Sequence, residues 1–304
     1  MNHRERVKAI LQYEKYDRMP LVHFGYWAET LQKWVREGYL APEDINGYGD
    51  GNRVDRSLDQ KLGWDFNWAN LFAPASGLFP PFERQILEVM ADGRQKVRNP
   101  EGVVVLEKPG ITSIPSEVGY TLKTRADWEE HYQHRLQWEP DRVLEALVQT
   151  DASPMPFGRG GLAYLKRQTR AYPCGLFCGS LFGIIRNMLG VTGIAYLYAG
   201  DPELYEEIID TVGELVYRCT AFVLEQTEAF DFGHFWEDIC FKNGPLIAPS
   251  VFDEKVGPHY KRITQLLNQY GINIVSLDCD GQIDALIPTW IQNGVNTMFP
   301  IEVG

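Results

Sequence analysis

The stretch that decides the fold is GINIVSLDCDGQIDALIPTWIQNGVNTMFPIEVG, residues 271 to 304. It opens on an apolar run, Ile272 to Leu277, which reads as a buried strand. An acidic turn follows, Asp278-Cys279-Asp280-Gly281. Ile283 to Gln292 has helical spacing, and a glycine turn leads into a second apolar strand, Val295 to Ile301. Glu302 stands at the end of that strand. One βαβ unit thus carries acids at the carboxyl ends of both strands, the place where α/β folds put their chemistry.

Upstream, the same alternation recurs. Phe230 to Trp236 reads as a strand ending in Glu237-Asp238, and Pro249 to Tyr270 as the helix after it. Asp201-Pro202 caps a long helix that runs to about Ala229. Tyr172 to Cys178 is a strand, followed by a helix over Leu181 to Leu189. Nearer the start, residues 2 to 13 place Val7, Ile10 and Leu11 on one helical face. Leu21 to Phe24 is a short strand, Ala28 to Glu37 a helix, and LGWDFNW (62 to 68) another strand. The segment 40 to 60 reads as loop with a short helix. Six strands alternating with helices mean a parallel sheet. Either an open doubly wound sheet or most of an eight-stranded barrel fits. No GxGxxG follows the first strand and there is no P-loop, which weakens the nucleotide-binding open sheet.

Residues 82 to 106 change character. FERQILEVM, GRQKVRN and GVVVLEK alternate, with turns at Asp92-Gly93 and Pro100-Glu101-Gly102. They predict a three-stranded β-meander, an excursion from a single domain spanning 1 to 304. Helices are expected over Thr124 to His134 and Pro140 to Gln149, with a Pro/Gly loop at 150 to 161.

The net charge of −12 on 304 residues argues against nucleic-acid binding. A content of 44% hydrophobic and 23% charged residues is that of a globular protein. No apolar run approaches the roughly 18 residues a membrane span needs, and the charged N-terminus lacks a signal-peptide core. The cysteines (Cys174, Cys178, Cys219, Cys240, Cys279) are odd in number and irregular in spacing. Reduced thiols in a cytoplasm are expected.

Several blocks resemble the uroporphyrinogen decarboxylase superfamily. FWEDICFKNGPLIAPSVFDEKVGPHYKRI (235 to 263) carries the resemblance best. DRMP (17 to 20), LFGIIRNMLG (181 to 190), DCDG (278 to 281) and FPIE (299 to 302) extend it collinearly over nearly the whole chain. That superfamily includes the haem-pathway decarboxylase and methyltransferases that move methyl groups to or from corrinoid or thiol carriers. The resemblance implies a (β/α)8 TIM-type barrel truncated after strand six, its site at the carboxyl ends of the strands. The last two βα units of the family would be missing, so a fragment, a split product or a chain completed by a partner is expected.

Two departures matter. The decarboxylase grips substrate carboxylates with an Arg-rich motif after its first strand, whereas HFGYWAETLQKW (23 to 34) has no arginine. The zinc methyltransferases carry His-x-Cys-Gly where this chain has Asp278-Cys279-Asp280-Gly281. Thiolate-rich zinc is therefore not supported. Asp278, Asp280 and Glu302, with His23 or His234, suggest an oxygen-rich site for a harder ion such as Mg or Mn.

The expected catalytic set is Asp278, Asp280, Glu302 and Asp238. A helix cap and a turn former would account for Asp280 alone. The pair delivered to a strand's end favours function, and clustered carboxylates push a pKa upward. Substrate contacts are expected from His23, Asp65, Glu237, Arg186 and Cys279. Adjacent Glu237 and Asp238 point oppositely in extended backbone, so only one faces the mouth; Lys242 or Asn243 would partner the other. His234 reads as a satisfied core histidine, His131 and His134 as surface residues. Cys174, Cys178 and Cys279 read by default as buried small hydrophobes, and Trp64, Trp68, Phe72, Phe79 and Phe82 as core before a roof over a flat tetrapyrrole.

The leading expectation is a corrinoid-linked methyltransferase or demethylase component, taking a small-molecule methyl donor and a corrinoid protein as partner. Uroporphyrinogen-type decarboxylation, with Asp65 on the pyrrole N–H groups, is the alternative. A non-catalytic partial barrel that binds another chain is a third.

Overall fold

The structure is a computed structural model that describes residues 1–109, 115–167 and 169–301. Helix α1 (His3–Leu11) begins at Asn2, which exchanges side-chain and backbone hydrogen bonds with Glu5 in a capping box. It leads to strand β1 (Val22–His23), then α2 (Ala28–Arg36) and α3 (Pro42–Ile45). Helix α4 (Arg53–Leu62), capped by Asn52, is a three-turn element where the sequence predicted mostly loop. Strands β2 (Phe66–Asn67) and β3 (Leu71–Phe72) follow as two halves of one bent strand.

The meander has four strands rather than three: β4 (Gln85–Val89), β5 (Gln95–Arg98), β6 (Val103–Glu107) and β7 (Ser116–Tyr120). The fourth, SEVGY, has too little apolar alternation to announce itself. Val97, Val103 and Val105 give this sheet a small core of its own. The expected helix at 124 to 134 divides into α5 (Arg125–Asp127), a π turn (Trp128–Tyr132) and a 3-10 turn (Gln133–Leu136). Helix α6 (Asp141–Leu144) is short, and a hairpin of β8 (Leu147–Val148) and β9 (Met155–Pro156) leads to α7 (Gly161–Arg167).

The second half holds the main sheet. Strand β10 (Gly175–Phe177) precedes α8 (Gly183–Gly200) and α9 (Pro202–Leu224). Helix α8 extends past its expected end through a kink at Gly190, φ +65, where a Cβ would sit 2.3 Å from the Tyr120 ring. Strand β11 (Phe232–Trp236), the hairpin β12 (Cys240–Phe241) and β13 (Gly244–Pro245), and helices α10 (Pro249–Lys255) and α11 (Gly257–Gln269) follow. Strand β14 (Val275–Asp278), α12 (Ile287–Gln292) and β15 (Thr297–Phe299) complete the order.

The sheet order is β3-β10-β11-β14-β15, all parallel, and β1 pairs in parallel with β2. Five strands form one parallel sheet and β1 with β2 a separate parallel pair, so the parallel alternation holds, while the strand expected at 62 to 68 pairs only with β1 and the unexpected β3 takes the edge beside β10. A flat sheet of six strands would separate its edges by about 24 Å, five spacings of about 4.8 Å. Yet the Phe24 ring, just after β1, lies 5.5 Å from the ring of Phe299 in β15. The sheet therefore rolls until its first and last strands face each other. Among the described residues β1 and β15 share no backbone pairing. An apolar cleft of about 400 Å³ lies between them, lined by Val22, Phe24, Trp68, Met298 and Phe299 among others.

Side-chain alternation divides the strands into two faces. Gly233 and Phe235 face the helices, where Phe235 meets Tyr260 of α11 at 4.6 Å and Gly233 leaves room for Leu267. Phe232, His234 and Trp236 face inward. Phe66, Trp68, Phe232 and Ile274 fill the inner base, with Val7 of α1 packed against them. No helix among the described residues is long and apolar enough to cross a membrane.

Candidate active site at the carboxyl ends of the strands

Asp278 is the last residue of β14, with Trp236 its register partner on one side and Phe299 on the other. The inward alternation Ile274, Ser276, Asp278 aims it at the mouth of the rolled sheet. Asp238 lies two residues beyond β11 with φ +49, an unusual backbone for a residue other than glycine. This turn makes Asp238 face Asp278 rather than the helices, and its Oδ1 accepts the Asp280 N–H at 3.1 Å. The carboxylates of Asp238, Asp278 and Asp280 lie within 4.8 Å of one another. Gly281, φ +91, lets the turn pass beneath the β12–β13 hairpin, because a Cβ there would sit 2.7 Å from the Cys240 carbonyl.

Partial burial pushes the Asp278 carboxyl up to about 7, and the negative charges of Asp238 and Asp280 add to the rise. At neutral pH it is therefore poised between acid and base. Trp236 floors the acidic cluster on one side, and the Arg186 guanidinium of α8 lies over the Trp236 ring at 5.8 Å. Arg186 forms no ion pair within 4 Å among the described residues, and its Nε is buried without a hydrogen-bond partner. Below the acids, Ser276 Oγ accepts from Trp68 Nε1 at 3.2 Å and lies 2.8 Å from His234 Nδ1. Burial alone holds His234 down to about 3, so its ring is neutral. It stacks on Phe299 at 5.3 Å and forms an aromatic wall, consistent with a satisfied histidine.

Of the residues expected at the site, Asp238, Asp278 and Asp280 come together, and Arg186 lies beside them through Trp236. Glu302 falls outside the described residues. Glu237 is a correction. It is fully buried and points away from the mouth, as alternation from Asp238 requires. Its oxygens accept from the N–H groups of Leu181, Phe182 and Gly183, from Ser180 Oγ and from the Tyr260 hydroxyl. These are the orphan donors at the start of α8, so Glu237 anchors that helix and has no oxygen left for substrate. Exposed Lys242 and Asn243 play no part in holding it.

Cys279 is also corrected: it is completely buried on the helix side of β14, where its Sγ accepts from the Ile239 N–H at 3.4 Å. A thiolate there cannot share a metal with Asp278 across the strand. Asp65 precedes β2 and so sits at the amino end of the sheet, opposite the mouth. Arg18 clamps both its oxygens at 2.6 Å and the Leu21 N–H donates to it at 3.0 Å, which leaves it a structural ion pair. His23 points outward to Asp59 of α4, in a separate cluster. His134 is exposed and His131 partly so, as expected of surface residues. The inner column of Trp68, Ser276, His234 and Trp236 was missed as a unit. Period-two alternation along FGHFW and VSLD held the signal.

An α/β protein with an acidic cluster at the carboxyl ends of a rolled parallel sheet is the class this geometry defines. No protein-family model matches the chain, and no curated protein matches it. Among solved structures, it is similar to a methyltransferase from Methanosarcina mazei, with a TM-score of 0.54 and 13% sequence identity. That likeness covers 98% of this chain and 75% of that one, and it is a likeness of fold.

Proposed function

We propose that this chain is the barrel component of a methyl-transfer system, a corrinoid-linked methyltransferase or demethylase of the uroporphyrinogen decarboxylase superfamily. A parallel sheet of five strands with a parallel pair before it supports a (β/α)8-type barrel, as do the sequence blocks at 181 to 190 and 235 to 263. The fold likeness to a methyltransferase supports the reaction class. The observation that carries the reading is Asp278, a carboxyl raised to about 7 at the carboxyl end of β14.

Methyl transfer from nitrogen, oxygen or sulfur leaves an electron pair on the donor's heteroatom, which then needs a proton. Asp278 supplies it: its O–H bond breaks, the heteroatom takes the proton, and the carboxylate is reprotonated from solvent. The charges of Asp238 and Asp280 favour that recovery. Trp236 and His234 present flat walls to the donor, and Arg186 attracts an anionic group on it. A reduced corrinoid carried on a partner protein would supply the methyl acceptor. The three carboxylates also suit Mg2+ or Mn2+, and an ion there would hold Asp278 ionised. Tetrapyrrole decarboxylation loses support, because Asp65 is committed to Arg18.

The test presents the chain with free cob(I)alamin and a panel of methylated amines, ethers and thiols, following visible absorbance. At least one donor is expected to react, with Asp278→Asn slowing transfer about 100-fold. Release of CO2 from uroporphyrinogen, with no methyl transfer from any donor, would overturn the reading. Loss of activity on chelation would assign the acids to a metal instead.

A further inference from the structure

A second cluster lies between β1 and α4, separate from the mouth acids. His23 ends β1; Asp55 and Asp59 stand one helical turn apart on the same face of α4. All three are buried, Asp55 completely. His23 Nε2 lies 2.6 Å from Asp59 Oδ1 and 4.0 Å from Asp55 Oδ1. The second distance is too long for a hydrogen bond, and Asp55 Oδ1 has no partner. The other oxygen of Asp55 is satisfied by the Gly51 N–H at 2.8 Å and the Asn67 amide at 3.0 Å. A buried carboxylate oxygen aimed at an imidazole and bonded to nothing costs free energy.

The charge does not balance either. Neither aspartate has a lysine or arginine within ion-pair distance among the described residues. The Gly25 N–H donates to His23 Nδ1 at 3.2 Å, so that nitrogen presents a lone pair. Two buried carboxylates therefore face one histidine. Tyr26 stacks on the His23 ring at 4.5 Å, and its hydroxyl is also buried without a partner.

We propose that His23 Nε2, Asp55 Oδ1 and Asp59 Oδ1 bind a divalent transition-metal ion of the zinc type, which ties β1 to α4. Imidazole nitrogen with carboxylate oxygen is the donor set such ions accept. Zinc bonds of about 2.0–2.1 Å place tetrahedral ligands about 3.3 Å apart. That value lies between the two distances found here, so Asp59 must draw back and Asp55 move in, each by about 0.7 Å. Binding at Nε2 moves the ring proton to Nδ1, so the imidazole stays neutral and the Gly25 N–H gives up its bond there. The site is buried and its ligands join a two-residue strand to a helix, so its role is structural. The mouth acids take no part.

The experiment strips the full chain with a chelator and titrates Zn2+ against a chromophoric competitor at neutral pH. Asp55→Asn is the first variant, because an amide oxygen can still accept from Gly51 and Asn67 and the fold is kept. Asp59→Asn and His23→Gln follow, with Asp278→Asn as the control for the mouth. The parent and Asp278→Asn are expected to bind one equivalent tightly, with the thermal midpoint rising on addition of Zn2+. Asp55→Asn is expected to bind at least 100-fold more weakly and to lose the rise. A parent that binds no Zn2+ and shows no thermal shift overturns the proposal. So does an equivalent that survives in Asp55→Asn, or one that disappears in Asp278→Asn.

Discussion

At the scale of residues, Asp278 and Glu237 show how two carboxyls 41 positions apart in the chain are given opposite tasks by the direction they face. Asp278 is raised to about 7 in the folded protein, against about 3.9 for an unfolded aspartate. The folded state binds this proton more tightly, so its stabilising contribution is complete below about pH 4. It is lost as pH rises through about 7. Asp278→Asn is expected to be more stable than the parent at pH 8, by on the order of 1–2 kcal/mol after allowance for solvent screening. The two should be near parity at pH 4; urea unfolding at both values measures the difference. The same proton sets activity: a rate that depends on the acid form should fall tenfold per pH unit above about 7. A flat profile from pH 6 to 9 would remove Asp278 from the chemistry. Glu237 serves the fold. Glu237→Ala leaves three backbone N–H groups and two hydroxyls unsatisfied and should cost about 3–5 kcal/mol. The acids at strand ends were legible because apolar runs stop at them. The alternation of FGHFW, carried two residues past β11, assigns Asp238 to the mouth and Glu237 to the helices, while the φ of +49 at Asp238 is announced by no residue pattern.

At the scale of elements, the strands and long helices of the second half were readable because their apolar residues repeat with one period each. Helix α9 keeps its buried face over 23 residues from an Asp201 cap. The elements that escaped reading are those held by tertiary contact. Helix α4 has mostly polar residues and is stabilised by Leu58 and the buried faces of Asp55 and Asp59. The fourth meander strand takes its place from β6, and α8 continues past Gly190 because Tyr120 packs against the kink. Turn chemistry at Gly281 belongs to this scale. Gly281→Ala meets both a positive φ and the Cys240 carbonyl, so the DCDG turn must shift away from the β12–β13 hairpin. A stability loss of about 1–3 kcal/mol is expected, together with displacement of Asp280. Activity should fall further than stability alone explains, which a comparison of kcat with the fraction folded at 25 °C would show. An Ala variant that keeps full kcat would mean that Asp280 is a turn former only.

At the scale of the molecule, the parallel alternation of strand and helix was legible, whereas the way the sheet rolls was not. Rolling depends on twist accumulated across strands and on aromatic contacts such as Trp68 with Phe232 at 4.3 Å, which join residues far apart in sequence. The arrangement implies an uneven distribution of stability. Strand β11 is bonded on both sides and lies under α9 and α11, whose buried residues include Ile208, Val212, Ile263 and Leu267. Strand β1 holds its neighbour through two residue pairs, Val22 with Phe66 and His23 with Asn67, and faces an open cleft on its other side. Strand β4 is exposed along its whole length. Opening β1 uncovers little apolar surface, while opening β11 requires the helical layer to separate from the sheet. Hydrogen exchange read by mass spectrometry should therefore resolve three classes. Amides of 232–236 and 275–278 should exchange last, with a denaturant dependence equal to that of global unfolding. Those of 85–89 should exchange first, by local fraying. Those of 22–23 and 66–67 should fall between, by an opening that releases α1 and the first strands while the second half stays folded. If all the strand amides exchanged at one common rate, the two halves would be a single cooperative unit, and the weak pairing of β1 would have no energetic consequence.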